Sequence, residues 1–117
     1  AFTAIESYIK INEETIEKFV KAIYKAIDYM KNTDDAVVAE SLLKQFPGTS
    51  KDSVATALKS YKRIDAWMTN LAMSEAAFDN LQNVMQNAGE LKTRVEYSKI
   101  TDNTFATKLY NELFPAT

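Results

Sequence analysis

Apolar residues recur every three or four positions through most of this chain, and that spacing constrains its fold more than any other feature. The clearest stripe is formed by Ile16, Phe19, Val20, Ile23, Ile27 and Met30. In an α-helix such residues share one face, which packs against a core. The pattern predicts a mainly α-helical protein with about five helices. Because neither a linker nor a repeat interrupts residues 1–117, they are predicted to form a single unit.

The predicted helix starts are residues whose side chains can accept a hydrogen bond from the first turn. They are Asn12, Thr33 or Asp34, Thr49 or Ser50, Ser74 and Thr101. The Pro47–Gly48 pair ends the second helix and Gly89 ends the fourth. The apolar positions predicted to be buried in the later helices are Val37, Val38, Leu42, Leu43, Phe46, Val54, Ala57, Leu58, Tyr61, Ile64, Phe78, Leu81, Met85, Ala88, Phe105, Leu109, Leu113 and Phe114.

The first dozen residues, AFTAIESYIKIN, break this rhythm. In an extended chain Phe2 and Tyr8 would lie on one side and Ile5 and Ile9 on the other. A strand that is apolar on both faces belongs in a covered sheet. The sequence therefore predicts short extended segments at residues 2–11 and 93–99. It also predicts that the chain is a piece of a larger α/β protein, whose isolated form could oligomerise through unpaired strand edges.

Composition excludes several function classes. The chain has no histidine and no cysteine, which removes thiol nucleophiles, imidazole acid–base chemistry and nearly every zinc or copper site. Its two glycines cannot form a phosphate-binding loop, and its net charge of −2 is unsuited to binding nucleic acid. We therefore predict no catalytic residue, no cofactor and no metal site, and we do not expect an enzyme.

A series of short motifs covers nearly the whole chain. In order, they are Ile11, Glu14, Ile16, Phe19 and Ala22; Phe46 and Pro47; Tyr61 and Arg63; Trp67; Ala88, Gly89 and Leu91; Val95 and Tyr97; and Asp102, Phe105 and Ala106. Their order and spacing resemble those of the substrate-binding proteins of ABC importers for nitrate, sulfonates, taurine and thiamine-precursor pyrimidines. Each motif by itself is mainly a pattern common to amphipathic helices, so the resemblance rests on the order in which the motifs follow one another.

This resemblance implies the C-terminal portion of a two-lobe α/β fold of the periplasmic-binding type II class, with the N-terminal part of the protein missing. It implies a small ligand, anionic or heterocyclic, bound between the lobes without catalysis. The implied partner is an ABC permease in the membrane. The implied location of the parent protein is extracytoplasmic, either periplasmic or lipid-anchored at the outer face of the cell membrane.

Five residues are candidates for ligand binding under this interpretation. Trp67 could form an aromatic wall of the cleft, or it could pack its loop against the helices. Tyr61 and Arg63 end the third predicted helix; core packing is the alternative for Tyr61, and solvation is the alternative for Arg63. Thr3 and Tyr8 could lie at a ligand-facing sheet edge, with simple strand packing as their alternative.

A second interpretation comes from a different class of protein. Five amphipathic helices with short connections are enough to build a free-standing helical module that binds a partner protein. The apolar opening segment separates the two interpretations, because a self-contained helical domain has no need of a strand that is apolar on both faces. A carboxylate-based enzyme would need two converging acidic residues, and nothing in the spacing predicts them.

Overall fold

The computed structural model describes residues 2–115, and the regular secondary structure in that part of the chain is all helical, without a strand. Its seven α-helices are α1 (Glu6–Ile11), α2 (Glu13–Asn32), α3 (Asp35–Leu42), α4 (Lys51–Arg63), α5 (Glu75–Asn87), α6 (Tyr97–Ile100) and α7 (Thr104–Leu113). A short 3-10 helix, Leu43–Gln45, extends α3. The mainly helical character predicted from the apolar spacing is confirmed.

The chain divides into two compact units, the first ending at Thr69 and the second beginning at Asn70. The first unit contains α1 to α4, and its core lies where α3 packs against α4. The buried residues of this core are Val38, Ala39, Val54 and Leu58. Met30, from the stripe of α2, packs against the same cluster. This core is what the aliphatic stripes of the three helices were expected to build.

In the second unit, α5 and α7 each bury part of one face. The buried residues are Phe78 and Gln82 of α5 and Leu109 of α7. The ring of Phe78 meets that of Tyr97 at the start of α6, with the ring centroids 5.8 Å apart. This edge contact and the loop before α6 hold that short helix against α5.

Three of the predicted capping residues accept a hydrogen bond from the first turn of their helix, whereas Asn12, which directly precedes α2, accepts none. The side chain of Asp34 accepts from the Ala36 N–H at 2.9 Å, and Ser50 and Ser74 accept from the N–H groups three residues onward. The prediction for the last helix is wrong, because α7 begins at Thr104 rather than at Thr101. There the carboxylate of Asp102 accepts from the Thr104 N–H at 2.9 Å.

The extended segment predicted at residues 2–11 is wrong, because Glu6–Ile11 forms α1. Lys10 Nζ lies 2.6 Å from Glu6 Oε1, an ion pair that suits one turn of helix. The side-chain amide of Asn12 donates to the Tyr8 carbonyl at 3.0 Å and helps to close the last turn. Strand preference depends on neighbouring strands, and without them the backbone of this segment satisfies its hydrogen bonds locally.

The extended segment predicted at residues 93–99 is also wrong, since its second half begins α6. The Val95 N–H, which would have joined a strand ladder, donates instead to the side chain of Gln82 at 2.7 Å. With neither segment in a sheet, the assignment to a fragment of a two-lobe α/β fold is overturned. The described residues form an all-helical protein instead.

Some residues of the predicted apolar stripes are exposed. Val37, Phe46, Ile64 and Leu81 were predicted to be buried and are not. Phe46 and Ile64 directly follow the ends of their helices, and Val37 and Leu81 lie next to the buried positions of α3 and α5. Among the described residues, no helix combines the length and apolar character that crossing a membrane requires.

Candidate functional site

Two of the predicted site residues meet in the first unit. Tyr61 lies on α4 and Trp67 in the loop that follows, and their ring centroids are 5.7 Å apart with the ring planes tilted by 42°. Trp67 is half-buried and packs against the core of the unit. Tyr61 remains 52% exposed, so its predicted place in the core is wrong. The pair therefore presents one aromatic face that the solvent reaches.

Lys31, at the end of α2, fixes the loop that carries Trp67. Its Nζ donates to Asp65 Oδ1 at 2.8 Å, to the Trp67 carbonyl at 3.1 Å and to Thr69 Oγ1 at 3.1 Å. Asp65 adopts a positive φ of 46°, which turns the chain sharply after α4. One ammonium group thus joins α2 to three residues of the loop that carries Trp67.

The other predicted site residues lie elsewhere on the first unit. Arg63 is the last residue of α4 and is exposed. Thr3 lies in the segment before α1, and Tyr8 lies on α1, where its side chain is largely exposed. No hydrogen bond or ring contact among the described residues joins these three to the Tyr61–Trp67 pair. Ligand contact by any of the five stays a prediction.

A concave site that the sequence did not predict lies within the second unit. It is an open pocket of about 400 Å³ between the first half of α5 and the loop that leads into α6. Its principal lining residues are Glu75, Asp79, Gln82, Arg94, Glu96 and Tyr97. The volume lies within the range of sites for small ligands, about 300 to 1,000 Å³. We refer to it below as the α5–α6 pocket.

Arg94 is anchored along the side of α5. Its Nη1 donates to Asn83 Oδ1 at 2.6 Å and to Gln86 Oε1 at 3.1 Å. Its Nη2 donates to the Asp79 carboxylate at 2.9 Å and to the Asp79 carbonyl at 3.3 Å. Four of the five N–H donors of the guanidinium are therefore hydrogen-bonded to the protein itself.

A second set of polar contacts fixes the far wall of the pocket. The hydroxyl of Tyr97 donates to the Met73 carbonyl at 2.5 Å and accepts from the Asn103 side-chain amide at 2.8 Å. The same amide of Asn103 bonds both the N–H and the carbonyl of Met73, at 3.0 Å and 2.9 Å. Because these groups satisfy one another, the Tyr97 ring is held in one orientation.

One signal in the sequence could have located this pocket. Gln82 follows Phe78 by four positions, so the two share the buried face of α5, where the apolar pattern leads one to expect another apolar residue. A polar side chain at such a position usually has a specific hydrogen-bond partner. The partner, Val95, is thirteen residues away in a loop, and no local pattern points to it.

The pocket offers no metal-binding cluster but several polar side chains. Among residues 2–115, no group of three or more carboxylates is placed to hold a metal ion. The pocket offers carboxylate acceptors, an amide and an aromatic ring, which together can orient a small molecule.

Comparison with known proteins connects the chain with a binding protein. It is 31% identical over 111 residues to a protein of Bacillus subtilis (strain 168) named "Putative binding protein YtlA". The match covers 95% of this chain and 33% of that protein, so the chain spans about a third of the length of its relative. No family model matches the sequence, and no solved structure matches it significantly.

Proposed function

We propose that the chain acts in the solute-binding component of an ABC importer, which captures a small molecule and passes it unchanged to a membrane permease. The observation that carries this proposal is the 31% identity to a protein named for binding, extending over 95% of the chain. The succession of motifs that resembles the importer proteins supports the more specific role. The ligand is expected among nitrate, sulfonates, taurine and thiamine-precursor pyrimidines.

The α5–α6 pocket supports a binding role because it is concave and offers several polar side chains. Its volume of about 400 Å³ lies within the range of binding sites for small molecules. The Tyr61–Trp67 pair offers a separate aromatic surface in the first unit. Neither site contains the histidine or cysteine on which many catalysts depend, since the chain has none.

A thermal-shift screen tests the proposal. The chain is heated with nitrate, taurine, an alkanesulfonate and an aminopyrimidine in turn, and hits are measured by titration calorimetry. A ligand at 100 times its Kd should stabilise the folded chain by about 2.7 kcal/mol. Mass spectrometry of the recovered ligand should show it unchanged. Conversion of the ligand, or no stabilisation by any of the four compounds, would contradict the proposal.

We further propose that this role involves more polypeptide than the present chain, an extracytoplasmic location with a lipid anchor, and an ABC permease as partner. The length of the relative, of which the chain covers 33%, supports the longer polypeptide. The location, the anchor and the permease are proposed from the resemblance to importer proteins. An antibody against the chain should detect a protein about three times as long. In fractionated source cells this protein should be released from the outer face of the membrane by protease. A protein found in the cytosolic fraction alone would contradict the location.

A helical module that binds another protein is the second candidate function. The observation that favours it is the exposure of large apolar side chains in and before α1, namely Phe2, Ile5 and Ile11. Ile11 is 82% exposed. This candidate predicts that replacing Ile5 and Ile11 by serine abolishes a protein complex without changing any response in the ligand screen.

A further inference from the structure

α5 has more apolar surface than the second unit covers. Its buried face is formed by Phe78 and Gln82. A second set of apolar residues lies on the neighbouring side of the helix, and all of them are exposed: Ala77, Leu81, Val84 and Ala88. Ala88 directly follows α5 and keeps a helical conformation. The spacing of four, three and four residues keeps the set on one line along the helix, which we call the α5 stripe.

The α5 stripe runs through the longest uncharged stretch in any helix of the described part of the chain. From residue 80 to residue 87 the sequence is NLQNVMQN. Leu81 is 45% exposed and Val84 is 59% exposed, although their spacing would suit a buried face. The centres of protein interfaces differ from the rest of a protein surface mainly in their lack of charged residues. The stripe therefore has the character of a surface that contacts protein.

The order of side-chain sizes along the α5 stripe favours a second copy of the chain as the partner. The order is small, large, large, small, so it reads the same in both directions. When two copies pack with their α5 helices antiparallel about a twofold axis, Leu81 of each copy meets Val84 of the other. Ala77 of each copy then meets Ala88 of the other. An unrelated partner would place no such requirement on the order.

The polar residues beside the stripe are compatible with self-association. Asn80 and Asn87 are exposed along one edge of it. An amide side chain both donates and accepts hydrogen bonds, so identical edges can pair with each other. The carboxylate of Asp79, which precedes the uncharged stretch, is paired with Arg94 at 2.9 Å. Two copies can therefore approach without bringing like charges together along the stripe.

We propose that the α5 stripe is the interface of a homodimer in which two copies of α5 pack antiparallel. The 13 residues of α5 present a strip about 20 Å long and about 10 Å wide. A contact of this size lies below the roughly 1,200 Å² at which stable interfaces begin, so the dimer is weak and exchanges with the monomer. The inference goes beyond the proposed function and does not depend on it, because no solute takes part in the contact.

Sedimentation equilibrium of the full chain tests for the dimer over protein concentrations from about 10 μM to about 1 mM. The wild type should pass from monomer to dimer within this range. Leu81→Ser and Val84→Ser should each weaken association by about tenfold or more, because each contact occurs twice in the dimer. Ile100→Ser is the matched control, since Ile100 is 62% exposed on α6 and lies outside the stripe, and it should change nothing.

Circular dichroism of the same samples shows whether each variant stays folded. Should Leu81→Ser unfold the chain, Val84→Ser still decides, because Val84 is the more exposed of the two. A wild type that stays monomeric throughout the range would overturn the proposal. Equal association of Val84→Ser and Ile100→Ser would overturn it as well.

A pair of charged variants tests the antiparallel arrangement. Leu81→Glu and Val84→Lys should each abolish self-association, because each places an unpaired charge against an apolar side chain twice. In an equimolar mixture, the new carboxylate of one chain meets the new ammonium group of the other, and the remaining Val84 and Leu81 meet as before. The mixture should therefore form a dimer. A parallel pair would bring residue 81 against residue 81, so a mixture that stays monomeric would overturn the arrangement.

Two further outcomes separate this inference from the functions proposed above. Loss of the dimer in Ile11→Ser but not in Leu81→Ser would place the interface at α1 and overturn the assignment to α5. A chain that dimerises as expected but responds to none of the four screened solutes supports the dimer and contradicts the solute-binding role. A chain that binds a solute and stays monomeric does the reverse.

Discussion

Each of the two units is stabilised internally by a different kind of contact. The first unit buries an aliphatic cluster between α3 and α4. In the second unit, three hydrogen bonds join Met73, in the loop before α5, to Tyr97 and Asn103. A fourth joins Asn103 to the Tyr97 hydroxyl. Even the buried face of α5 includes a glutamine.

This difference explains why the pocket lies in the second unit. Aliphatic side chains pack closely and leave little space, whereas polar side chains must meet their partners at fixed distances and angles. A loop that is held by hydrogen bonds of fixed length and direction can leave space between itself and the helix that it covers. The four predictions below test this difference between aliphatic packing in the first unit and hydrogen bonding in the second.

The largest effect is expected from Leu58→Ala in the core of the first unit. Leu58 is 5% exposed among aliphatic neighbours, so truncation should lower the free energy of unfolding by about 2 to 5 kcal/mol. Urea unfolding followed by the fluorescence of Trp67, the single tryptophan, measures this change. Ile64→Ala is the control, because Ile64 is 66% exposed and its truncation should cost about 0.5 kcal/mol or less. Equal costs for the two variants would contradict the assigned core.

Asn103→Ala should have the next largest effect, in the second unit. It removes the contacts to Met73 and Tyr97, and leaving partly buried groups unpaired costs about 1 to 3 kcal/mol. Hydrogen exchange of the Met73 amide should accelerate first. Asn80→Ala, on the exposed side of α5, serves as the control and should change stability by about 0.5 kcal/mol or less. If Asn103→Ala were as mild, packing rather than hydrogen bonding would hold this unit.

A smaller effect is expected from Lys31→Met. Lys31 makes three contacts to the Trp67 loop, but Asp65 is largely exposed, so the loss in stability should be about 0.5 to 1.5 kcal/mol. The loop should loosen, and acrylamide should quench Trp67 more readily. Lys25→Met removes the same charge from an exposed position on α2 and should leave quenching unchanged. Unaltered quenching in Lys31→Met would show that aromatic packing alone positions the loop.

The smallest effect concerns Asp102 and pH. Its pKa is lowered below the usual value, first by a hydrogen bond from the Thr104 side chain and then by the Thr104 backbone N–H. Because the folded pKa lies below the unfolded one, the stabilisation is complete above about pH 4 and is lost as pH falls through the folded pKa. For this exposed group we expect about 0.5 kcal/mol or less.

Asp102→Asn provides the comparison for that prediction. The variant should show no acid-dependent change in amide exchange at Thr104, whereas wild type should lose protection there as the pH is lowered from about 5 to about 2. Parallel pH profiles for the two proteins would indicate that Asp102 does not support the start of α7.

Much of the helical layout could be predicted from local sequence. The caps at Asp34, Ser50 and Ser74 were predicted because a capping hydrogen bond spans only two or three residues. The buried positions Val38, Val54 and Leu58 followed from spacing along one helix face. Tyr24 is also buried and was not predicted, although it follows Val20 by four residues and precedes Ile27 by three, a spacing that places it next to the α2 stripe.

The α5–α6 pocket could not be predicted because its contacts join distant residues. Gln82 bonds Val95, and Arg94 reaches back fifteen residues to Asp79. The aromatic site was found only in part, since the sequence singled out Tyr61 and Trp67 but did not predict their ring contact or the role of Lys31.

The sequence by itself determined where the main helices lie and which aliphatic residues form the first core, because backbone capping and helical periodicity act over a few residues. Only the tertiary structure decided that residues 2–11 and 93–99 form no sheet, because a strand exists only when another strand completes its hydrogen bonds. It also decided the pocket, since a side chain such as that of Gln82 acquires its role from the chain segment that folds against it.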